Sequence, residues 1–238
     1  MSIYVIGDLH LSFNEDKPMD IFGDNWKGHE EKIKKDWIEK VTDNDTVILP
    51  GDFSWSMHLE ETEKDFKFIN DLPGKKLLLK GNHDYWWNTV TKMRNFLKEK
   101  DFKNIDFIFN EGYEIENYII AGTRGWSLLE EDKDEKVLNR ELARLEASIR
   151  SGLQKSEQGV NNPKELIIFM HYPPISNPKI YNNEESEFVK IMQKYNVKKC
   201  FYGHLHGVSI KDAFEGELEG IQFKLVSADS LDFKLYKI

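Results

Sequence analysis

The stretch "KLLLKGNHDYWW", residues 76–87, contains a short apolar run that ends abruptly in polar residues. Its aliphatic part, Leu77–Leu79, is typical of a buried strand, and Gly81 marks the end of that strand. The polar residues Asn82, His83 and Asp84 follow directly. Ligands and catalytic groups of α/β proteins lie at the carboxyl ends of strands, because the sheet fixes the loop while its side chains stay accessible. We therefore interpret this loop as part of a functional site.

The same pattern recurs along the chain, with strand-like segments alternating with segments of helical spacing. The predicted strands are Ile3–Gly7, Thr46–Leu49, Lys76–Leu79, Glu165–Met170 and Lys199–Tyr202. The predicted helices are His29–Lys40, Leu59–Asn70, Trp87–Lys100, Asp132–Leu153 and Glu184–Tyr195. Alternation of strands and helices implies largely parallel strand pairing. The sequence therefore predicts an α/β protein.

Two regions depart from this alternation and predict an antiparallel part of the fold. Within Ile105–Ala121, the sequence "YEIENYIIAG" predicts two strands around a turn at Glu116 and Asn117. The tail Val208–Ile238 reads as strands without helices, and Lys155–Asn162 as a surface loop. The chain has 238 residues and no linker rich in Pro, Gly and Ser, so we expect a single domain spanning residues 1–238.

Composition disfavours several classes of function. The net charge is −9, with both signs spread along the chain, which disfavours binding to nucleic acid or to an anionic membrane. The start "MSIYVIGDLH" has no signal-peptide pattern, and the longest apolar run, Leu166–Met170, is too short to cross a bilayer. The single Cys200 has no partner for an internal disulfide and fits a small buried hydrophobe. We expect a cytoplasmic protein.

Polar side chains that can bind metals follow most of the predicted strands. They are Asp8 and His10 in "GDLH", Asp52 in "GDFS", Asn82, His83 and Asp84 in "GNHD", His171 in "MHYPP", and His204 and His206 in "GHLH". Carboxylate, imidazole and amide groups are donors that divalent metals accept. Asp-x-His and His-x-His would place two donors on one side of an extended segment. The set predicts a metal site at the strand ends.

The ordered motifs GDLH, GD, GNHD, a single His after a strand, and GHLH resemble those of the calcineurin-like phosphoesterases, also called metallophosphoesterases. The match runs from Asp8 to His206, and no motif position is missing. The resemblance implies a four-layer α/β/β/α sandwich with two mixed β-sheets and a centre of two divalent metals. The implied ligands are Asp8, His10 and His206 for the first metal, Asn82, His171 and His204 for the second, and Asp52 as the bridge.

The resemblance also implies a reaction, the hydrolysis of a small phosphate mono- or diester. Two adjacent metals lower the pKa of a shared water, so that a bridging hydroxide exists near neutral pH, and they bind the phosphoryl oxygens. His83 is free to donate to a phosphoryl oxygen or to protonate the leaving oxygen, and Asp84 is expected to orient His83 through a hydrogen bond. For the mixed nitrogen and oxygen ligands we expect Mn or Fe, with Zn also accepted.

Four residues near the motifs are candidates for contact with the substrate. Trp55, Trp86 and Tyr172 lie in motif loops, where their rings would stack on the substrate or pack the loops in place. Arg124 follows another strand and would bind a phosphate oxygen or form a salt bridge on the surface. Both interpretations stay open for each residue.

Two further histidines lie outside the motifs, and two other functions stay open. His29 and His58 lie at helix starts, where we expect capping or solvated roles. A protein that keeps the fold and serves only as a docking site is one alternative function, although every motif residue is present. A nuclease with the same metals is another, although the sequence offers little basic patch beyond "EKIKKDW". The sequence does not indicate an oligomeric state.

Overall fold

The computed structural model describes residues 1–15, 17–128, 134–157, 164–176 and 186–238. They form two compact units. The first unit consists of Met1–Phe107 and Val226–Ile238, and the second of Ile108–Leu225. The expectation of one domain over residues 1–238 stays a prediction. No helix among the described residues is long and apolar enough to span a membrane.

The first unit contains a five-stranded mixed sheet. Its strands are β1 (Ile3–Val5), β2 (Thr46–Pro50), β3 (Lys75–Leu79), β4 (Ile105–Phe107) and β11 (Tyr236–Lys237), in the order β11-β1-β2-β3-β4. All neighbouring strands are parallel except β11, which pairs antiparallel with β1. The amide of Leu235, just before β11, donates to Oδ2 of Asp36 across 199 residues of sequence. The C-terminal segment is therefore an integral part of this unit.

Three α-helices accompany this sheet, namely α1 (His29–Lys40), α2 (Glu63–Asn70) and α3 (Val90–Glu99). Helix α1 has the predicted bounds and buries His29, Ile33 and Trp37, which lie four residues apart on one face. The predicted helix from Leu59 instead begins as a 3-10 turn before α2. Helix α3 begins later than predicted, because the Thr89 side chain accepts the amide hydrogen of Lys92 and caps the first turn.

The second unit contains a six-stranded mixed sheet. Its strands are β5 (Tyr113–Ile115), β6 (Tyr118–Thr123), β7 (Glu165–Met170), β8 (Lys199–Tyr202), β9 (Gly216–Leu218) and β10 (Ile221–Leu225), in the order β5-β6-β7-β8-β10-β9. Strands β6, β7, β8 and β10 are parallel, and each edge strand is antiparallel. The turn between β5 and β6 includes Glu116 with φ 51°, which confirms the predicted hairpin. Two mixed sheets are thus confirmed, and their stacking stays a prediction.

The helices of the second unit differ in length from the predictions. Helix α4 (Glu135–Glu157) extends past the predicted end at Leu153, so the predicted loop Lys155–Asn162 is wrong for residues 155–157. Helix α5 spans Glu187–Lys194. A 3-10 helix at Gly207–Asp212 corrects the expectation that the C-terminal tail has no helix. The predicted helix starts near residues 132 and 184, and loop residues 158–162, lie outside the described residues.

Candidate metal centre

Two loops of the first unit continue side by side after strands β1 and β2. The amide of Asp8 donates to the carbonyl of Gly51 at 3.0 Å, and the amide of His10 to the carbonyl of Asp52 at 2.9 Å. The amide of Leu11 then donates to the carbonyl of Phe53 at 3.0 Å. This backbone ladder fixes the relative positions of the GDLH and GDFS motifs.

The backbone within these loops is not extended, which corrects the expectation for Asp-x-His. Asp8 has φ 58°, His10 has φ 47° and Asp52 has φ 48°, all in the left-handed region. Non-glycine residues adopt this region at a cost of about 1–3 kcal/mol each, and such residues cluster at functional sites. The ladder of backbone hydrogen bonds compensates that cost. The donors therefore converge because the backbone curls, and not because alternate side chains of a strand share one face.

The side chains of Asp8, His10 and Asp52 converge in a nearly dry environment. One ligand atom of Asp8 lies within 4.8 Å of a nitrogen of His10, and one within 4.8 Å of an oxygen of Asp52. Nε2 of His10 lies 3.7 Å from Oδ2 of Asp52. The three residues are 0%, 3% and 1% exposed, respectively. Buried carboxylates are costly unless a cation compensates their charge, so this donor set fits a bound divalent metal.

The GNHD loop lies against Asp52. A Cβ atom added at Gly81 would lie 2.8 Å from Cγ of Asp52 and closer still to its Oδ1 and amide nitrogen. The amide of His83 donates to Oδ1 of Asp52 at 2.8 Å. Glycine is therefore required at position 81, because only hydrogen leaves room for the Asp52 carboxylate.

Asp84 has a different role from the one predicted. Its Oδ1 accepts hydrogen bonds from the Phe53 amide at 2.9 Å, the Ser54 amide at 3.3 Å and the Trp86 indole at 3.0 Å. Its Oδ2 accepts from the Gly81 amide at 2.7 Å. Among the described residues these four groups, and not the His83 ring, are its donors. Asp84 therefore joins the loops after β2 and β3, and burial raises its pKa to about 6.

Asp65 on α2 stabilises the loops after β1 and β2 through hydrogen bonds. Its buried carboxylate accepts a hydrogen bond from the Phe13 amide at 3.0 Å and another from the Ser54 hydroxyl. Phe13 follows the GDLH motif, and Ser54 follows Asp52. Burial raises the pKa of Asp65 to about 6, against the lowering effect of these hydrogen bonds.

The His83 ring is half-buried beside two other rings. Its centroid lies 4.6 Å from that of Trp55 and 5.9 Å from that of His10. The Trp55 ring in turn stacks on His10 at 4.8 Å, with an angle of 24° between the planes. Trp55 thus lies beside the metal-binding loops, while its contact with substrate stays a prediction.

Of the two interpretations left open for Trp86, the structure supports packing of the loops in place and not contact with substrate. The side chain is 0% exposed and packs edge-on against Phe66 at 5.3 Å and Phe53 at 5.9 Å. Its indole N–H binds Asp84. Two adjacent tryptophans after a motif gave no signal to distinguish the buried one, since burial was decided by packing against α2 and the loop after β2, far away in sequence.

His29 also differs from its prediction. The side chain is 2% exposed, which rules out a solvated role. Its Nε2 lies 3.0 Å from the carbonyl oxygen of Leu9, between Asp8 and His10, and its Nδ1 lies 3.1 Å from the carbonyl oxygen of Trp26. Burial lowers the pKa of His29. The spacing of His29 with Ile33 and Trp37 was the sequence signal for burial. His58 caps a 3-10 helix, as expected.

The second unit contributes three histidines at the carboxyl ends of β7 and β8. His171 is fully buried, and its Nε2 lies 3.3 Å from Nδ1 of His204. Two imidazole nitrogens that face each other share one proton or bind one cation. His204 has φ 75°, and His206 directly precedes the 3-10 helix Gly207–Asp212. This pair also fits a metal, because a cation bound at about 2 Å spans donors at such a distance.

Arg124 forms an ion pair within the second unit. Its Nη2 lies 3.8 Å from Oε1 of the buried Glu141, and its guanidinium carbon lies 4.9 Å from the Trp126 ring centre. The carbonyl of Arg124 accepts the amide hydrogen of Tyr172 at 2.9 Å, and the Tyr172 ring lies 4.3 Å from that of His204. Tyr172 is thus close to a candidate ligand. Phosphate binding by Arg124 and substrate contact by Tyr172 stay predictions.

Comparisons with known proteins agree with this geometry. The family model of the calcineurin-like phosphoesterases matches residues 1–208. No curated protein matches the chain in sequence. A protein of unknown function from Aquifex aeolicus has a TM-score of 0.52 at 20% identity, over 99% of this chain and 95% of that one.

Two further solved structures show the same fold. A phosphopantetheinyl hydrolase from Mycobacterium tuberculosis has a TM-score of 0.56 at 14% identity, over 100% of this chain and 95% of that one. A protein from Thermus thermophilus has a TM-score of 0.58 at 11% identity, over 99% of this chain and 97% of that one. At these identities the likeness concerns the fold alone, and the assignment rests on the family match and its Asp and His cluster. The chain belongs to the calcineurin-like phosphoesterases, hydrolases that act on phosphoester bonds.

Proposed function

We propose that the protein hydrolyses a small phosphate mono- or diester with the help of two divalent metals. The observation that carries the proposal is the convergence of buried Asp8, His10 and Asp52 at the strand ends of the first unit. His171 and His204 supply a second close pair of donors. Both sets belong to the motifs that the family resemblance assigns to metal binding.

The proposed ligands follow those motifs. They are Asp8, His10 and His206 for one metal, Asn82, His171 and His204 for the other, and Asp52 between them. Mn or Fe suits this mixed donor set best, and Zn is also accepted. Bound there, the metals would supply a water of lowered pKa and positive charge for the phosphoryl oxygens.

His83 is the proposed acid and hydrogen-bond donor. Its ring is half-buried between solvent and the Trp55 ring, and its backbone is tied to Asp52. From this position the imidazole donates to a phosphoryl oxygen or to the leaving oxygen as the ester bond breaks. Asp84 acts through the backbone, because it holds Gly81 and Phe53 in place.

The proposed partner is a small phosphorylated molecule. A net charge of −9 opposes a polyanionic substrate, so nucleic acid and anionic membrane are not proposed as partners. The proposed location is the cytoplasm. It is supported by the single, buried Cys200, whose thiol pKa is raised by burial and which therefore stays a protonated thiol.

The test uses protein stripped of metal and refilled with Mn²⁺, Fe²⁺ or Zn²⁺ in separate samples. Each sample is assayed with a chromogenic phosphate monoester and the matching diester, and Asp52→Asn serves as the control. We expect metal-dependent hydrolysis, a stoichiometry of two metals per chain, and loss of both activity and one metal in Asp52→Asn. Inactive but metal-loaded protein would favour the docking alternative, and cleavage of single-stranded nucleic acid in preference to small esters would favour the nuclease.

A further inference from the structure

A cavity of about 300 Å³ lies in the second unit next to the candidate ligand His204. Its lining comes from the segments that follow strands β6, β7 and β8 and from the 3-10 helix Gly207–Asp212. The residues that matter for its chemistry are Tyr172, Ile175, His204, Leu205, Ser209 and Asp212. Ligand pockets in proteins begin at about this volume, which suits a group the size of one aromatic ring.

The walls of the cavity combine apolar and polar surface. Ile175 and Leu205 supply aliphatic contact, and Ser209 supplies a hydroxyl. The Tyr172 ring lies 4.3 Å from the His204 ring, so the aromatic wall of the cavity adjoins a residue proposed to bind metal. A phosphoryl group bound at that metal would therefore have its organic part within reach of the cavity.

The charge of the described lining residues is negative. Among the described residues that line the cavity, Asp212 is the only Asp or Glu, and none is Lys or Arg. Asp212 is half-buried, and no described residue donates a hydrogen bond or forms an ion pair with its carboxylate. A half-buried carboxylate that pairs with no neighbouring cation attracts a positively charged ligand and repels a negatively charged one. The face of an aromatic ring such as Tyr172 also favours an ammonium group.

The geometry points to a subsite for the leaving group, one that selects phosphate esters of amine-bearing alcohols over esters whose organic part carries a carboxylate or second phosphate. This inference rests on the proposed function, because it places the ester bond at His204. It adds the chemical class of the leaving group: an apolar body about one ring in size that ends in a positive charge. Asp212 is the specificity-determining residue.

Binding of the free alcohols tests the subsite without any need for turnover. Three phenols of similar size serve as probes: 4-(aminomethyl)phenol, 4-(hydroxymethyl)phenol and 4-hydroxybenzoate. Their dissociation constants are measured by ligand-observed NMR titration of the metal-loaded protein. We expect the ammonium probe to bind about tenfold more tightly than the carboxylate probe, as one half-buried charge pair provides.

Two variants test whether Asp212 causes the preference for the ammonium probe. Asp212→Asn keeps the shape of the side chain and removes its charge, so the ammonium and neutral probes should then bind within about twofold of each other. Glu187→Gln is the matched control, because Glu187 is exposed on α5 and pairs with Lys190. It should leave all three constants unchanged. Equal binding of the three probes to the unaltered protein, or a preference that survives Asp212→Asn, would overturn the inference.

A parallel assay separates this inference from the proposed function. The phosphate monoesters of the three phenols are offered to the unaltered protein and to Asp52→Asn. Probe preference without hydrolysis of any ester would contradict the proposed function and keep the subsite. Hydrolysis at equal kcat/KM for all three esters, with equal probe binding, would contradict the subsite and keep the proposed function. We expect a preference of about tenfold in kcat/KM for the ammonium ester.

Discussion

The amide of His83 donates a hydrogen bond of 2.8 Å to Oδ1 of Asp52, which couples the proposed acid to the proposed bridging ligand through the backbone. The contact does not involve the His83 side chain. A substitution of the imidazole therefore leaves the support of Asp52 intact, and the two roles can be separated by mutation.

His83→Ala should retain its metals and lose activity. We expect kcat to fall about 10²–10⁴-fold on an ester with a poor leaving group, because the loss removes a general acid. The fall should be smaller on a nitrophenyl ester, whose leaving group needs no proton. Metal content by mass spectrometry and kcat on the two esters are the measurements, with His58→Ala as the control. Unchanged kcat on the poor leaving group would exclude this role.

Gly81→Ala should disrupt the site although alanine is the smallest change. The new Cβ would overlap the Asp52 carboxylate, so we expect a loss of about 3 kcal/mol in unfolding free energy and weaker metal binding. Gly220→Ala is the control, since a Cβ there meets nothing within 4 Å and only the backbone at φ 74° is strained, at a cost of about 1 kcal/mol. Equal losses in urea denaturation would contradict the steric account.

His29→Phe should weaken the GDLH loop while keeping a ring in the core. In the tautomer that carries its proton on Nε2, His29 donates to the Leu9 carbonyl oxygen, and the loss of this donor leaves a buried acceptor unpaired at a cost of about 1–3 kcal/mol. We also expect lower metal affinity, because Leu9 lies between two proposed ligands. Urea denaturation and metal titration are the measurements. His29→Gln, which keeps one donor, should recover part of both losses, and a His29→Phe variant as stable as the unaltered protein would refute the role.

The raised pKa of Asp65 predicts that the stability of the fold depends on pH. Its pKa rises from 3.8 in the unfolded chain to about 6 in the fold, so the folded state binds more protons between these values. The contribution of Asp65 to the unfolding free energy should therefore decrease as the pH rises from about 4 to about 6, by about 3 kcal/mol at most, and change no further above about pH 6. Asp65→Asn should make the decrease smaller by the contribution of Asp65 and leave that of Asp84, whose pKa is also raised to about 6.

Asp71→Asn is the control for the Asp65 experiment. Asp71 is exposed beside α2 and pairs with Lys67 at 2.6 Å, so its loss should leave the pH profile unchanged. Denaturation is followed at several pH values on the metal-free protein. A profile of Asp65→Asn that parallels the unaltered protein would show that another group causes the decrease.

The strands that carry the proposed ligands could be predicted from sequence to within one or two residues, because apolar runs bounded by polar motifs leave few alternatives. Strand β7 has the predicted bounds, Glu165–Met170. The loops after the strands could not be predicted. Their left-handed residues, such as Asp52, depend on hydrogen bonds between segments far apart in sequence.

The hydrogen-bond partners of the buried polar groups could not be predicted from the sequence either. Nothing in "GNHDYWW" shows that Asp84 binds backbone amides of another loop, or that Trp86 faces the core while its neighbour is partly exposed. Both outcomes are decided by tertiary packing around Phe53 and Phe66. The residue types predict the chemistry of the site, whereas the contacts that hold these residues in place are seen only in the folded structure.

The hydrogen bond from Leu235 to Asp36 has a consequence for biosynthesis. The first unit gains β11 and this contact only when residues translated 199 positions later have left the ribosome. The second unit is continuous in sequence, from Ile108 to Leu225, and its strands are complete before then. During translation, the β1 edge of the segment that bears GDLH and GNHD therefore stays unpaired until β11 has been synthesised. Pairing of β1 with β11 is a slow step, because the two strands are far apart in sequence.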